Sequence, residues 1–208
     1  EACPGRGLRR IGRYYEIDEL LDIILRDKVY YQTSSGGVTL SGGEPTLHID
    51  YASRLLWALK ARGIHTTIET SGYFEWTPFK NKILGWLDLI LFDLKLADPE
   101  LHLKYTGQQN DIILQNLGRL AKERPDDVIA RIPLIPGITA DQDNLHKLYG
   151  IILDMGIKRC WFLPYNPLGF SKRITIGQPM VDLPERMLTW DEIHRLESIF
   201  SHLELVEM

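Results

Sequence analysis

Val38-Thr39-Leu40-Ser41-Gly42-Gly43-Glu44-Pro45, followed after one helix-spaced run by Thr66-Thr67-Ile68-Glu69-Thr70-Ser71-Gly72, decides how this chain folds. Val38 to Leu40 reads as a short strand that runs into a loop needing glycine. Tyr51, Leu55, Leu56 and Leu59 then share one helical face, and Gly63 stops that helix. Thr66 to Thr70 is β-branched and reads as a second strand, closed by Ser71-Gly72.

The same alternation runs outward in both directions. On the N-terminal side, Ile17, Leu20, Leu21, Ile24 and Leu25 place a helix over 16–26. On the C-terminal side, 79–86 reads as a short helix, and Leu87 to Leu94 is an apolar run broken only by Asp88 and Asp93. Helices are expected over 110–123, 142–155 and about 190–200, with strands from Val128 to Ile135 and Lys158 to Leu163. That makes five strands: 38–40, 65–70, 88–94, 128–135 and 158–163. Strands this apolar, each followed by a helix, predict an α/β fold with a parallel sheet covered by helices. Five are too few to close an eight-stranded barrel, so the sheet is expected to be open and curved, with 38–40 at or near an edge. The proline- and glycine-containing stretch 167–189 reads as a long irregular excursion.

Composition narrows the function classes. The 208 residues suit one sizeable domain, and 44% hydrophobic with 25% charged residues is ordinary for a globular protein. A formal net charge of −4 gives no basic footprint for nucleic acid. No apolar run reaches the ~18–20 residues that cross a bilayer, and the opening Glu1-Ala2-Cys3-Pro4 is not a secretory leader. Cys3 and Cys160 are the only cysteines, which is no disulfide framework, so a reducing cytoplasm is expected.

In a parallel sheet or barrel of this kind, functional groups gather at the strands' carboxyl ends. Here the first strand ends in Gly42-Gly43-Glu44, the second in Glu69-Thr70-Ser71 and the third in Asp93-Leu94-Lys95; Arg131 lies in the fourth, and Tyr165-Asn166 follow the fifth. Each has a plain structural reading. Gly42-Gly43 is a tight turn, and Asp93 with Lys95 is an ion pair. The functional reading is that the glycines free backbone groups for a ligand. Asp93 and Lys95 then clamp an amino-acid-like molecule, with Asp93 on the amino group and Lys95 on the carboxylate. Cys160, amid Trp161, Phe162 and Leu163, reads as core.

Taken in order, these segments resemble a known family. Gly36 to Pro45, Glu69-Thr70-Ser71-Gly72-Tyr73, Leu91-Phe92-Asp93-Leu94-Lys95, Thr106-Gly107, Arg131 to Gly137 and Leu163 to Gly169 are similar to the motifs of the radical S-adenosylmethionine (SAM) enzymes that activate glycyl-radical enzymes. The resemblance covers roughly residues 1–178. It implies a partial (β/α) barrel of the radical SAM type whose first strand is missing here.

It also implies roles. Gly42, Gly43 and Glu44 would hold the SAM amino group, with Thr70, Ser71, Asp93, Leu94, Lys95 and Asn166 completing the cofactor site. Glu69, Thr70 and Asp93 resemble a monovalent-cation site, although well-studied members have Asp at the first position and His where this chain has Asn166. Arg131 and Lys95 are the expected catalytic residues, Arg131 facing the reacting centre or the incoming peptide.

The family's CxxxCxxC loop, which holds a [4Fe–4S] cluster, is not in this sequence. Cys3-Pro4 looks like the end of a ferredoxin-type cysteine run, so Cys3 is expected to ligate an auxiliary cluster. On that reading 1–13 is the tail of a ferredoxin-like insert and 14–208 the partial-barrel domain. The intact protein would reductively cleave SAM at the cluster and generate a glycyl radical on a partner enzyme. A flavodoxin or ferredoxin would supply electrons, and this chain alone is expected to be inactive. Two other readings stand beside it: a non-catalytic SAM- or peptide-binding module, and a (β/α) enzyme binding phosphate at Gly42-Gly43. Glu44 opposes the latter, because its carboxylate would repel phosphate.

Overall fold

The computed structural model describes residues 12–167 and 183–206. Six strands lie side by side in sequence order, all parallel: β1 (Gly37–Leu40), β2 (His65–Thr70), β3 (Leu89–Asp93), β4 (Val128–Leu134), β5 (Arg159–Pro164) and β6 (Glu204–Leu205). The sheet is open, with β1 at one edge and β6 at the other. The first five strands match the expected ones to within a residue or so. The sixth was not expected, because two residues carry no readable alternation.

Pairing aligns side chains across the sheet. Phe92 registers with Ala130 and that residue with Cys160, and these three are fully buried beneath the helices. One residue along, Asp93 registers with Arg131 and Arg131 with Trp161, on the opposite face. Period-two alternation thus separates an apolar helix-facing side from a side whose upper rim is charged.

The helices are α1 (Ile17–Ile24), α2 (Lys28–Ser34), α3 (Ile49–Lys60), α4 (Trp76–Lys82), α5 (Pro99–Thr106), α6 (Asp111–Glu123), α7 (Gln142–Asp154) and α8 (Trp190–Glu197). Leu56 and Leu59 of α3, Leu117 and Leu120 of α6, and Leu145, Leu148 and Ile152 of α7 are fully buried. Leu56, Leu117, Leu120, Leu145, Leu148 and Ile152 join Ile68, Ile90, Phe92 and Ile132 of the sheet in the main core, while Leu59 packs with Ile17, Leu21 and Ile64 in a smaller one under α1.

Three helical expectations need correction. The helix placed over 16–26 ends at Ile24 in a 3₁₀ turn, and α2 follows until Ser35 takes a left-handed conformation at φ 55°. The helix placed over 79–86 begins earlier, at Trp76, and gives way to a 3₁₀ turn over Leu84–Trp86. Helix α5 was not anticipated, although Asp98 caps it by accepting from Glu100 and Leu101 N–H with Pro99 at its first position. Most of the excursion at 167–189 lies outside the described residues.

Candidate functional site

Gly42 sits at φ 112°, in the region that favours glycine, and a Cβ there or at Gly43 would meet no atom beyond the adjoining residues within 4 Å. The loop therefore presents bare backbone to open space. Its position is set by Glu44. The carboxylate accepts from Thr46 N–H (3.3 Å) and Oγ1 (2.8 Å), from Thr70 Oγ1 (2.9 Å), and from Ser71 N–H (2.9 Å) and Oγ (2.7 Å). Five donors meet a group with about four lone-pair sites, so the protein itself saturates it. Glu44 ties the end of β1 to the end of β2.

The partner loop is held from below. Asn116 of α6, fully buried, donates to the carbonyls of Gly72 (2.9 Å) and Phe74 (2.8 Å). Gly72 lies so close to β3 that a Cβ would fall 2.1 Å from the Phe92 ring.

Across the sheet, Arg131 is 8% exposed and bridges two carboxylates. Its guanidinium lies 2.8 Å from Glu69 Oε1 and 2.7 Å from Asp93 Oδ1, with Nε also donating to Asp93 Oδ1 at 2.9 Å. The guanidinium stands 5.9 Å from the Trp161 ring centroid, a cation–π contact. Burial pulls the arginine pKa down, but Asp93 and then Glu69 outweigh it and leave the value above the ordinary one. Lys95 Nζ reaches the other oxygen of Asp93, Oδ2, at 3.3 Å, a looser contact.

Gly42, Gly43, Glu44, Glu69, Thr70, Ser71, Asp93, Lys95 and Arg131 thus border one open cavity of about 250 Å³ at the carboxyl ends of β1 to β4. Nearly every expected site residue on those strands is brought together. Leu94 is not: it is buried, and its N–H donates to Arg131 C=O at 2.8 Å. Asn166 lies beyond the end of β5 and is not part of this cavity lining. Cys3 lies outside the described residues. Between Glu69 and Asp93, where a monovalent cation was expected, this structure places the Arg131 guanidinium. Among the described residues, no group of three or more His, Cys, Asp or Glu side chains is arranged to hold a metal ion.

Sequence reasoning missed the three buried asparagines that hold the rim loops. Asn116 grips the loop after β2, while Asn110 and Asn144 grip the loop after β3. For Asn116 and Asn144, a polar residue inside the helical face of α6 or α7 was the available signal, whereas Asn110 precedes α6 and carried none of that kind.

Comparison with known proteins places these features in a family. Residues 2–148 match the Radical SAM superfamily. A (2S)-3-sulfopropanediol dehydratase activating enzyme from Klebsiella oxytoca is 39% identical over 179 residues, covering 85% of this chain and 56% of that protein. A pyruvate formate-lyase-activating enzyme from Staphylococcus epidermidis is 39% identical over 173 residues, covering 80% of this chain and 68% of that protein. The chain thus spans between about half and two thirds of the length of these curated relatives. The crystal structure of a domain of pyruvate-formate lyase-activating enzyme from Bacteroides vulgatus shares the fold, with a TM-score of 0.67 at 24% identity over 82% of this chain and 98% of that one. With its open parallel sheet, its glycine loop after β1 and its charged rim, the chain belongs to the radical SAM superfamily, among the activating enzymes of glycyl-radical enzymes.

Proposed function

We propose that this chain binds SAM at the rim of β1 to β4 and forms the body of an enzyme that generates a glycyl radical on a partner protein. The observation that carries the reading is the meeting of the bare Gly42-Gly43 backbone, Asp93 and Lys95 at one cavity. An amino acid's two charged groups need opposite partners a few ångströms apart, and this cavity offers them. Backbone carbonyl groups of the glycine loop and the Asp93 carboxylate suit the ammonium. The Lys95 ammonium, only loosely held by Asp93 at 3.3 Å, suits the carboxylate. At about 250 Å³ the cavity takes the amino-acid end of SAM, and the nucleoside extends over the open face of the sheet. Glu44, already saturated by protein donors, serves by fixing the loop.

A [4Fe–4S] cluster, which in this family supplies the electron that splits SAM, does not fit the residues of this chain. Three thiolates are needed, and the sequence holds two cysteines. One of them, Cys160, is fully buried in the core, and burial pushes its thiol up to about 12. We assign the cluster's ligands to polypeptide outside these 208 residues. Residues 1–13 then belong to a ferredoxin-like insert with auxiliary clusters, and 14–208 to the partial-barrel domain. The chain on its own binds SAM without cleaving it. In the whole protein the partner's glycine segment enters over the open face, where Arg131 and Trp161 meet it. A flavodoxin or ferredoxin delivers the electron in the cytoplasm.

Calorimetric titration tests the site. SAM is expected to bind weakly but saturably, and Lys95→Ala to weaken it by about tenfold or more, the value of a charge-assisted hydrogen bond. Decarboxylated SAM, which lacks the group Lys95 meets, should be indifferent to the substitution. SAM affinity unchanged by Lys95→Ala overturns the assignment of the clamp.

A further inference from the structure

Lys95 is held by its backbone more than by its side chain. Leu94 and Leu96 are 2% and 3% exposed, so both sink into the protein and leave Lys95 facing the cavity between them. From α7, the buried Asn144 reaches over this loop. Its Nδ2 donates to Lys95 C=O at 3.1 Å and to Thr139 C=O at 2.9 Å, while its Oδ1 accepts from Ala97 N–H at 2.9 Å. Thr139 in turn accepts from Ile135 N–H at 2.8 Å and donates to Pro133 C=O. One amide side chain therefore joins the loop after β3, which carries Lys95, to the loop after β4, the strand that carries Arg131. Asn110 holds the far side of the Lys95 loop through the carbonyls of Leu96 and Ala97, both at 2.9 Å.

We propose that Asn144 is a positioning residue for ligand binding: by fixing the Lys95 carbonyl it sets the direction in which the Lys95 ammonium meets the ligand carboxylate. The inference rests on the SAM reading of the rim. Fixing the peptide plane after Lys95 fixes its Cα–Cβ direction, and the loose contact to Asp93 leaves the side chain dependent on that direction. A side chain that only tied the two loops together, through its bonds to Lys95 C=O, Thr139 C=O and Ala97 N–H, would not distinguish one ligand from another. Its loss would weaken all ligands alike through general loosening.

The experiment uses Asn144→Asp, which keeps the acceptor for Ala97 N–H and removes both donated hydrogen bonds. Asn110 still holds the loop, but the new carboxylate faces the Lys95 and Thr139 carbonyls, so a thermal melt of the variant is read beside the titration. SAM affinity should fall by about tenfold, the scale of one to two lost hydrogen bonds, while decarboxylated SAM changes by no more than about twofold. In the Lys95→Ala background, Asn144→Asp should add nothing to the loss of SAM affinity. Equal weakening of both ligands, or full additivity with Lys95→Ala, overturns the proposal. Should Lys95→Ala leave SAM affinity untouched, the clamp itself falls and this inference with it. Asn144→Ser, whose hydroxyl is too short to span both carbonyls, keeps the test available if the Asp variant folds poorly, and the same split between ligands is expected of it.

Discussion

Gly43→Val is expected to abolish measurable SAM binding, a loss of about 100-fold or more, while the melting temperature stays within about 2 °C of the parent. The pairing of a large functional effect with a small structural one follows from the geometry. A Cβ at Gly43 meets no atom beyond the adjoining residues within 4 Å, so the backbone there has room for a side chain to start outward into the cavity. The space it fills is the cavity that Gly43 borders, where the ligand's ammonium is expected. Gly42 would be a poorer choice: at φ 112° any side chain strains the backbone, and lost binding would be confounded with lost stability. Calorimetry beside a thermal melt reads both quantities. Parent-like SAM affinity in Gly43→Val would show that the ligand does not approach the loop.

The second large effect is on stability. Arg131→Leu removes the guanidinium that Glu69 and Asp93 share, and leaves two partly buried carboxylates of which Asp93 keeps the looser contact to Lys95. Breaking a buried ion pair from one side typically costs about 3–5 kcal/mol. Partial exposure of Glu69 and Asp93, at 31% and 22%, lowers the expected cost to about 2–3 kcal/mol. For a chain of this size that is a fall in melting temperature of roughly 5–10 °C. Arg131→Lys should recover only part of it, because an ammonium cannot span both carboxylates as the planar fork does. Full recovery by lysine, or no loss with leucine, would mean that the bridge adds little to the fold.

These residues also show what sequence alone could reveal. The strands were legible because period-two and β-branched patterns survive burial on one or both faces. The runs at 65–70 and 128–134 hardly needed the structure. Lys95 was legible because its spacing from Asp93 places both on one side of the chain. Arg131 was flagged as polar within an apolar strand, but its two partners come from β2 and β3, far away in sequence, and no local pattern encodes that meeting. Glu44 illustrates the same limit. Its position after two glycines marked it for the ligand, whereas its donors from Thr70 and Ser71 appear only once β1 and β2 pair. The short strand Glu204–Leu205 and helix α5 escaped notice for local reasons, one too brief for alternation and the other with little amphipathic contrast. The asparagines are the deepest omission. A buried amide reads as a flaw in a helical stripe until the carbonyls it satisfies are seen.

The central claim is that SAM's amino-acid end lies at the rim of β1 to β4, and the crystal structure of this chain with SAM tests it most directly. The expected result is the SAM carboxylate within hydrogen-bond distance of Lys95 Nζ and the ammonium at the Gly42-Gly43 backbone beside Asp93, with Glu44 still holding Thr70 and Ser71. SAM bound elsewhere, such as the groove beside Leu47 and Tyr73, with the rim cavity empty, would contradict it.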